Sequence, residues 1–331
     1  MVNVSVVITV KNEENSILQL LNSLENQSLK PYEVIIVDGG SKDRTIEIIN
    51  LFIASKDSFK LILAEGANRP KGRNIGILAA TSEIIAITDA GVVLDKNWLE
   101  NLVKPLVQEG ADFVGGVYIQ DGESLLQKCI GILQYPNIEK LHVDDFIPSC
   151  RSVVFKKDVW KSVGYWPEHL KKADDTYFDL MVRDKGFKIA LAKDAVVSWT
   201  AKNTLKGLFQ QYSSYAEWDV RAGLFFKLKI YRLMILAYII LAFLLFLIFE
   251  FGFWGFLFSF LVVLSYLVFS GVKTFTKTRK FLSIFLGMAV KITIFSAETF
   301  GLVKGLIARV SKKINDRKLL SPNQLSPSVK P

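Results

Sequence analysis

Apolar residues along the first two thirds of the chain come in short β-branched runs, each followed by a stretch with helical spacing. The runs predict strands at Val4–Val10, Glu33–Val37, Leu61–Ala64, Ile84–Thr88, Phe113–Val117, Val153–Phe155, Lys188–Leu191 and Val196–Trp199. Between the first two, leucines at 18, 20, 21 and 24 give Ser16–Glu25 an apolar helical face, and Thr45–Ile53 predicts a second helix. Strand–helix alternation of this kind predicts an α/β fold with a mostly parallel central sheet. Such sheets take ligands beyond the carboxyl ends of their strands, so the residues just after each strand are the candidates for chemistry.

The pattern changes in the last third. From Leu233 to Val272 the only charged residue is Glu250. Helix over those residues would reach about 60 Å, roughly twice the apolar thickness of a bilayer. Two spans are therefore expected, about 231–249 and 252–272, turning at Glu250–Gly255. A third span or an interfacial helix is expected at about 281–308, where Lys291 and Glu298 share one face. Basic residues flank the hairpin: Lys227, Lys229 and Arg232 before it, and Lys273, Lys277, Arg279 and Lys280 after it. The positive-inside rule places both flanks in the cytosol. Residues 1–222 then form a cytosolic domain, 223–310 a membrane domain, and 311–331 a basic, disordered tail. The apolar run Val2–Val10 is too short for a signal peptide and lacks a basic leader. The expected location is the cell membrane, with several passes.

Charge follows the same division. Residues 1–226 hold 26 Lys+Arg against 29 Asp+Glu, and residues 227–331 hold 15 against 3. The basic excess thus belongs to the membrane segment, and nucleic acid is not an expected partner. A hydrophobic fraction of 50% excludes a disordered chain. Cys129 and Cys150 cannot build a disulfide framework, nor, with His142 and His169, a structural zinc site, so buried free thiols are expected.

The strand ends are polar. They read Thr9-Val10-Lys11-Asn12-Glu13, Asp38-Gly39-Gly40-Ser41 and Asp89-Ala90-Gly91. None makes a Gly-x-Gly-x-x-Gly fingerprint or a Walker loop, which disfavours dinucleotide dehydrogenases and P-loop NTPases. Together with Gly72-Arg73-Asn74 and Asp174-Asp175-Thr176-Tyr177-Phe178-Asp179, they appear in an order that resembles the family-2 glycosyltransferases, which have the GT-A nucleotide-sugar fold. The resemblance covers about residues 1–222.

That resemblance implies an inverting transferase using a nucleoside-diphosphate sugar, UDP- or GDP-linked. Thr9, Lys11, Asn12 and Glu13 would bind the nucleoside, Asp38 the nucleotide base, and Arg73 and Asn74 the diphosphate. Asp38 also suits a cap for the helix near Asp43, and both roles can hold. Arg69 and Lys71 extend the basic cluster. Asp89 occupies the first position of the family's Asp-x-Asp motif for Mg²⁺ or Mn²⁺, but Gly91 stands at the second, leaving one carboxylate for the metal. Asp175 is carried over as catalytic base, with Asp174 and Asp179 in support. Arg151, Gln211 and Trp218 resemble acceptor-side or supporting residues. Ser213 and Ser214 follow Gln210 and Gln211 where processive members carry Gln-x-x-Arg-Trp, which favours addition of a single sugar. The membrane hairpin favours a lipid-linked acceptor. Two alternatives stand beside this: a non-catalytic scaffold of the same fold, supported by Gly91, and a nucleotidyltransferase, which would release pyrophosphate.

Overall fold

The computed structural model describes residues 2–134, 138–144 and 146–319. They fall into two units, residues 1–204 with 267–290, and residues 205–266 with 291–331.

The first unit opens with β1 (Val4–Val10), α1 (Ile17–Glu25), β2 (Glu33–Asp38), α2 (Thr45–Ile53), β3 (Phe59–Leu63), α3 (Arg69–Ala79) and β4 (Ile84–Asp89). It continues through β5 (Val92–Leu94), α4 (Trp98–Gln108), β6 (Phe113–Asp121), α5 (Leu125–Gln134), β7 (Val153–Lys156), α6 (Lys157–Ser162), α7 (Asp174–Asp184) and β8 (Ile189–Thr200). One eight-stranded sheet has the order β3-β2-β1-β4-β7-β6-β8-β5. Strands β1 to β4 pair in parallel. Beyond β4 the sheet is mixed, because β7 enters antiparallel between β4 and β6, and β5 lies antiparallel on the edge. The expectation of a mostly parallel sheet therefore holds fully only for the first half.

Helices cover both faces, so β1 is apolar on each. Val6 and Ile8 join Leu20, Leu24 and Trp98 on one side, while Val7 joins Ile77, Phe155 and Phe178 on the other. Helix α3 approaches β1 through glycines. A Cβ at Gly72 would lie 2.8 Å from Thr9 Cγ2, and one at Gly76 would collide with Val7. That close approach brings the α3 N-terminus to the tip of β1.

Two element expectations needed correction, and one strand was not expected. Lys188–Leu191 and Val196–Trp199 are one strand, β8. The register jump opposite Gly116/Val117 absorbs the intervening Lys193 and Asp194 as a bulge. Strand β5 is only three residues long, too short for any periodicity. Residues 311–319, expected in the tail, continue a helix. The rest of the expected tail, Leu320–Pro331, lies outside the described residues.

The second unit holds α8 (Leu205–Arg221) and most of α9 (Lys229–Thr278) and α10 (Leu282–Leu319). Helix α9 breaks at Gly252, where φ is 54° and ψ is −126°. Ser259 Oγ donates to Leu244 O at 3.0 Å, so the two halves fold back on each other. This is the hairpin read from the sequence. Glycines 301 and 305 let α10 lie directly on α8, and Lys304 pairs with Glu217 at 2.7 Å. Two helices, Lys229–Thr278 and Leu282–Ser311, are long and apolar enough to cross a membrane.

Candidate active site

A cavity of about 480 Å³ opens over the carboxyl ends of β1, β2, β4 and β8. Its wall contains five of the expected residues, Thr9, Lys11, Glu13, Asp89 and Arg151. Sequence reasoning missed Asn68, Lys171 and Trp199, which also line it, and gave Arg69 no place there. Trp199 ends a strand and was discoverable by the same rule that found Asp89. Lys171 has no local signal; it meets Arg69 only through the fold, where Arg69 Nη2 lies 3.5 Å from Lys171 O.

Helix α3 delivers its N-terminus here. Asn68 caps it, its Oδ1 accepting from Lys71 N at 3.0 Å. The first turn carries Arg69 and Lys71 and no acid. Cations at a helix N-terminus run against the backbone dipole. An anion over that end would satisfy both the helix and the side chains. Across the cavity the Arg151 guanidinium stacks on Trp199 at 4.2 Å and on Tyr118 at 5.1 Å.

Behind the cavity lies a buried ion cluster. Arg73 is 1% exposed. It pairs with Asp174 and, at 2.7 Å, with Asp89 Oδ1, and its guanidinium sits 5.2 Å from the Trp166 ring. Arg69 adds a longer contact to Asp174 at 3.6 Å. Burial pushes the Asp89 carboxyl up, but Arg73, Arg151 and Arg69 outweigh it and hold the group below its ordinary value. Burial raises Asp174 despite Arg73, and the neighbouring Asp175 adds to the rise. Asp179 is driven well up, first by burial and then by Asp175, and its Oδ2 has no hydrogen-bond partner among the described residues. Cys150 is buried beside Arg73, and burial pushes its thiol well up.

The remaining expected residues are distributed as follows. Asp175 is half-buried in the first turn of α7, its Oδ1 accepting from Thr176 N at 2.9 Å. Its charge acts on Arg73, Cys150 and Asp179. Asp38 is buried and holds its own loop, accepting from Gly40 N at 2.8 Å, Ser41 N at 2.9 Å and Ser41 Oγ. Asn12, in the left-handed region, ties the loops together by accepting from Lys42 N at 2.9 Å. Asn74 does not reach the cavity. Its amide accepts from Trp160 Nε1 and Trp166 N and donates to Trp166 O and Glu168 Oε1, all between 2.8 and 3.0 Å. Gln211 and Trp218 belong to the second unit, where they pair locally with Tyr215 and Arg221.

No group of three or more metal-ligating side chains exists among the described residues. Gly91, with φ +80°, offers none, but a Cβ there would lie 3.5 Å from Glu13 Oε2. Glu13 thus brings a carboxylate to the place the missing acid would fill. Asp89 keeps Oδ2 without a hydrogen bond among the described residues, because Arg73 engages only Oδ1. Two carboxylates facing one cavity suit a hard cation whose other ligands are phosphate and water oxygens.

Residues 5–151 match the model of the family described as Glycosyl transferase family 2. The chain is 29% identical over 202 residues to glycosyltransferase AglE of Haloferax volcanii, covering 58% of this chain and 65% of that one. It is 36% identical over 133 residues to undecaprenyl-phosphate 4-deoxy-4-formamido-L-arabinose transferase of Pectobacterium carotovorum, covering 38% and 40%. The matches thus span less than two thirds of these relatives' own lengths. Among solved structures, the mannosyltransferase PcManGT of Pyrobaculum calidifontis, in complex with GDP-Man and Mn²⁺, shares the fold at a TM-score of 0.61 and 19% identity, covering 92% of this chain and 87% of its own.

Proposed function

For a chain whose N-terminal domain belongs to the family-2 glycosyltransferases, we propose that it moves one sugar from a nucleoside diphosphate to a lipid-linked acceptor, with inversion. The observation that carries this is the charge arrangement of one cavity, where Lys11, Arg69, Arg151 and Lys171 surround Asp89 and Glu13 over the strand ends. Several cations around a concave site suit a diphosphate leaving group, and carboxylates among them suit its counter-ion or the acceptor's proton.

In this reading Thr9, Lys11 and the loop held by Asp38 and Asn12 take the nucleoside. Arg69 and Lys171, with the α3 N-terminus, hold the diphosphate. Arg73 does not touch it; buried between Asp89 and Asp174, it fixes both carboxylates. Asp89 and Glu13 would hold a divalent cation, which when bound neutralises charge on the departing diphosphate. Asp175 takes the proton of the acceptor hydroxyl as the acceptor oxygen bonds the anomeric carbon. The bond from that carbon to the diphosphate oxygen breaks on the opposite face, and nucleoside diphosphate leaves. An acceptor phosphate would need no proton removed.

The apolar α9 and α10 are read as membrane segments, with the catalytic unit on the cytosolic side among the basic flanks. A relative named for an undecaprenyl-phosphate substrate supports a polyprenyl phosphate or lipid-linked saccharide as acceptor. The test uses the full chain in lipid nanodiscs, with donor consumption measured against lipid extract and against soluble sugars. Asp175→Asn should retain nucleotide binding and lose about 10²–10⁴-fold in transfer. Transfer to soluble acceptors alone, or unchanged transfer by the variant, would overturn the proposal.

A further inference from the structure

A second cavity, of about 490 Å³, lies in the first unit between α5 and the turn that joins α9 to α10. Among the described residues its wall carries Lys128, Lys277 and Lys280 and no acid. None of the three ammonium groups has a hydrogen bond or ion pair among the described residues. Three unneutralised cations around one hollow repel one another unless an anion enters.

The lysines stand on a packed frame. Gly131 of α5 lies against Gln120 O, where a Cβ would come within 2.8 Å. Across the turn, Thr274 Oγ1 donates to Ser283 O at 2.6 Å and Thr278 Oγ1 to Ser283 Oγ at 2.8 Å. Gln120 also lines the hollow, and its side-chain oxygen is buried with no hydrogen-bond partner among the described residues. The wall therefore offers positive charge for a phosphate and one unused acceptor for a hydroxyl.

Position decides the source of that phosphate. Lys277 and Lys280 lie five and eight residues past Val272, where the apolar run of α9 ends; with α9 read as a membrane helix, that is the headgroup region. We propose that this cavity binds the headgroup of an anionic membrane phospholipid, its phosphate among the three lysines and a headgroup hydroxyl on Gln120. The proposal rests on reading α9 as a membrane helix, and it is separate from sugar transfer.

The full chain, purified in detergent, would be offered phosphatidylglycerol and phosphatidylcholine in competition and its retained lipid counted by native mass spectrometry. Wild type should retain phosphatidylglycerol preferentially. Each lysine replaced by alanine should lower that preference about fivefold, as expected at about 1 kcal/mol per lysine. Lys128→Arg should keep it, which separates lost charge from lost fold. A Lys128→Ala/Lys277→Ala/Lys280→Ala variant with undiminished preference would overturn the proposal. So would displacement of the lipid by inorganic phosphate at equal concentration, which would mark a soluble-phosphate site. Recovery of the chain in the aqueous fraction of cells would instead sink the membrane reading itself.

Discussion

Two cavities of similar size, about 480 and about 490 Å³, occur in the first unit, and their walls differ in sign. The first mixes four basic side chains with Asp89 and Glu13, and a buried arginine stands behind the carboxylates. The second has three lysines and no acid among the described residues of its wall. A site that must release a charged product needs both signs, so that charge moves between partners during reaction. Cations alone suit a site that only holds an anion. The structural cost differs too. In the first cavity charge is built into the core and its removal disturbs the fold; in the second it is displayed on the surface.

The largest effect should come from Arg73→Ala. It leaves buried Asp174 with only the longer Arg69 contact, and chemical denaturation should show a loss of about 3–5 kcal/mol. A loss under about 1 kcal/mol would mean that the ion cluster does not organise the first cavity. Next is Gly76→Ala, whose methyl group collides with Val7 under the cavity floor. Overpacking of this kind should cost about 1–3 kcal/mol and weaken nucleotide binding with it.

Asp179 gives a pH signature. Its folded pKa is raised by burial, so the folded state holds a proton that the unfolded chain releases near pH 4. Its contribution is therefore complete at low pH and is lost as pH rises, by up to about 1.4 kcal/mol per pH unit until the folded group titrates. Asp179→Asn should flatten that part of the stability–pH curve, measured by denaturant midpoint from pH 4 upward. A slope unchanged in the variant would assign it elsewhere. Smallest is Lys128→Ala in the second cavity. Removing an unpaired surface lysine among like charges should shift stability by no more than about 0.5 kcal/mol. A larger loss would erase the contrast between the two walls.

Much of the first cavity was legible because a strand end has only one place to point. Thr9, Lys11, Glu13 and Asp89 follow apolar runs and line the cavity together. The resemblance assigns Arg73 and Asn74 together to the diphosphate, but neighbours on a helix point about 100° apart. Arg73 therefore turns to Asp89, and Asn74 to Trp160. Lys171 was invisible, since nothing local links it to a helix start some hundred residues earlier. The second cavity was half visible: Lys277 and Lys280 were noted as a membrane flank, but only the fold brings Lys128 to them.

The central claim is that the mixed-charge cavity holds an activated sugar through its nucleoside diphosphate. A thermal-shift panel of nucleoside diphosphates on the full chain, with and without Mn²⁺, tests it most directly, because a ligand of the native state raises apparent stability by mass action. The account predicts that one or two of the nucleotides raise Tm, that Mn²⁺ adds to the shift only when nucleotide is present, and that Arg69→Ala with Lys171→Ala removes most of it. A panel that leaves Tm unmoved, or a shift that survives loss of both side chains, would contradict the account.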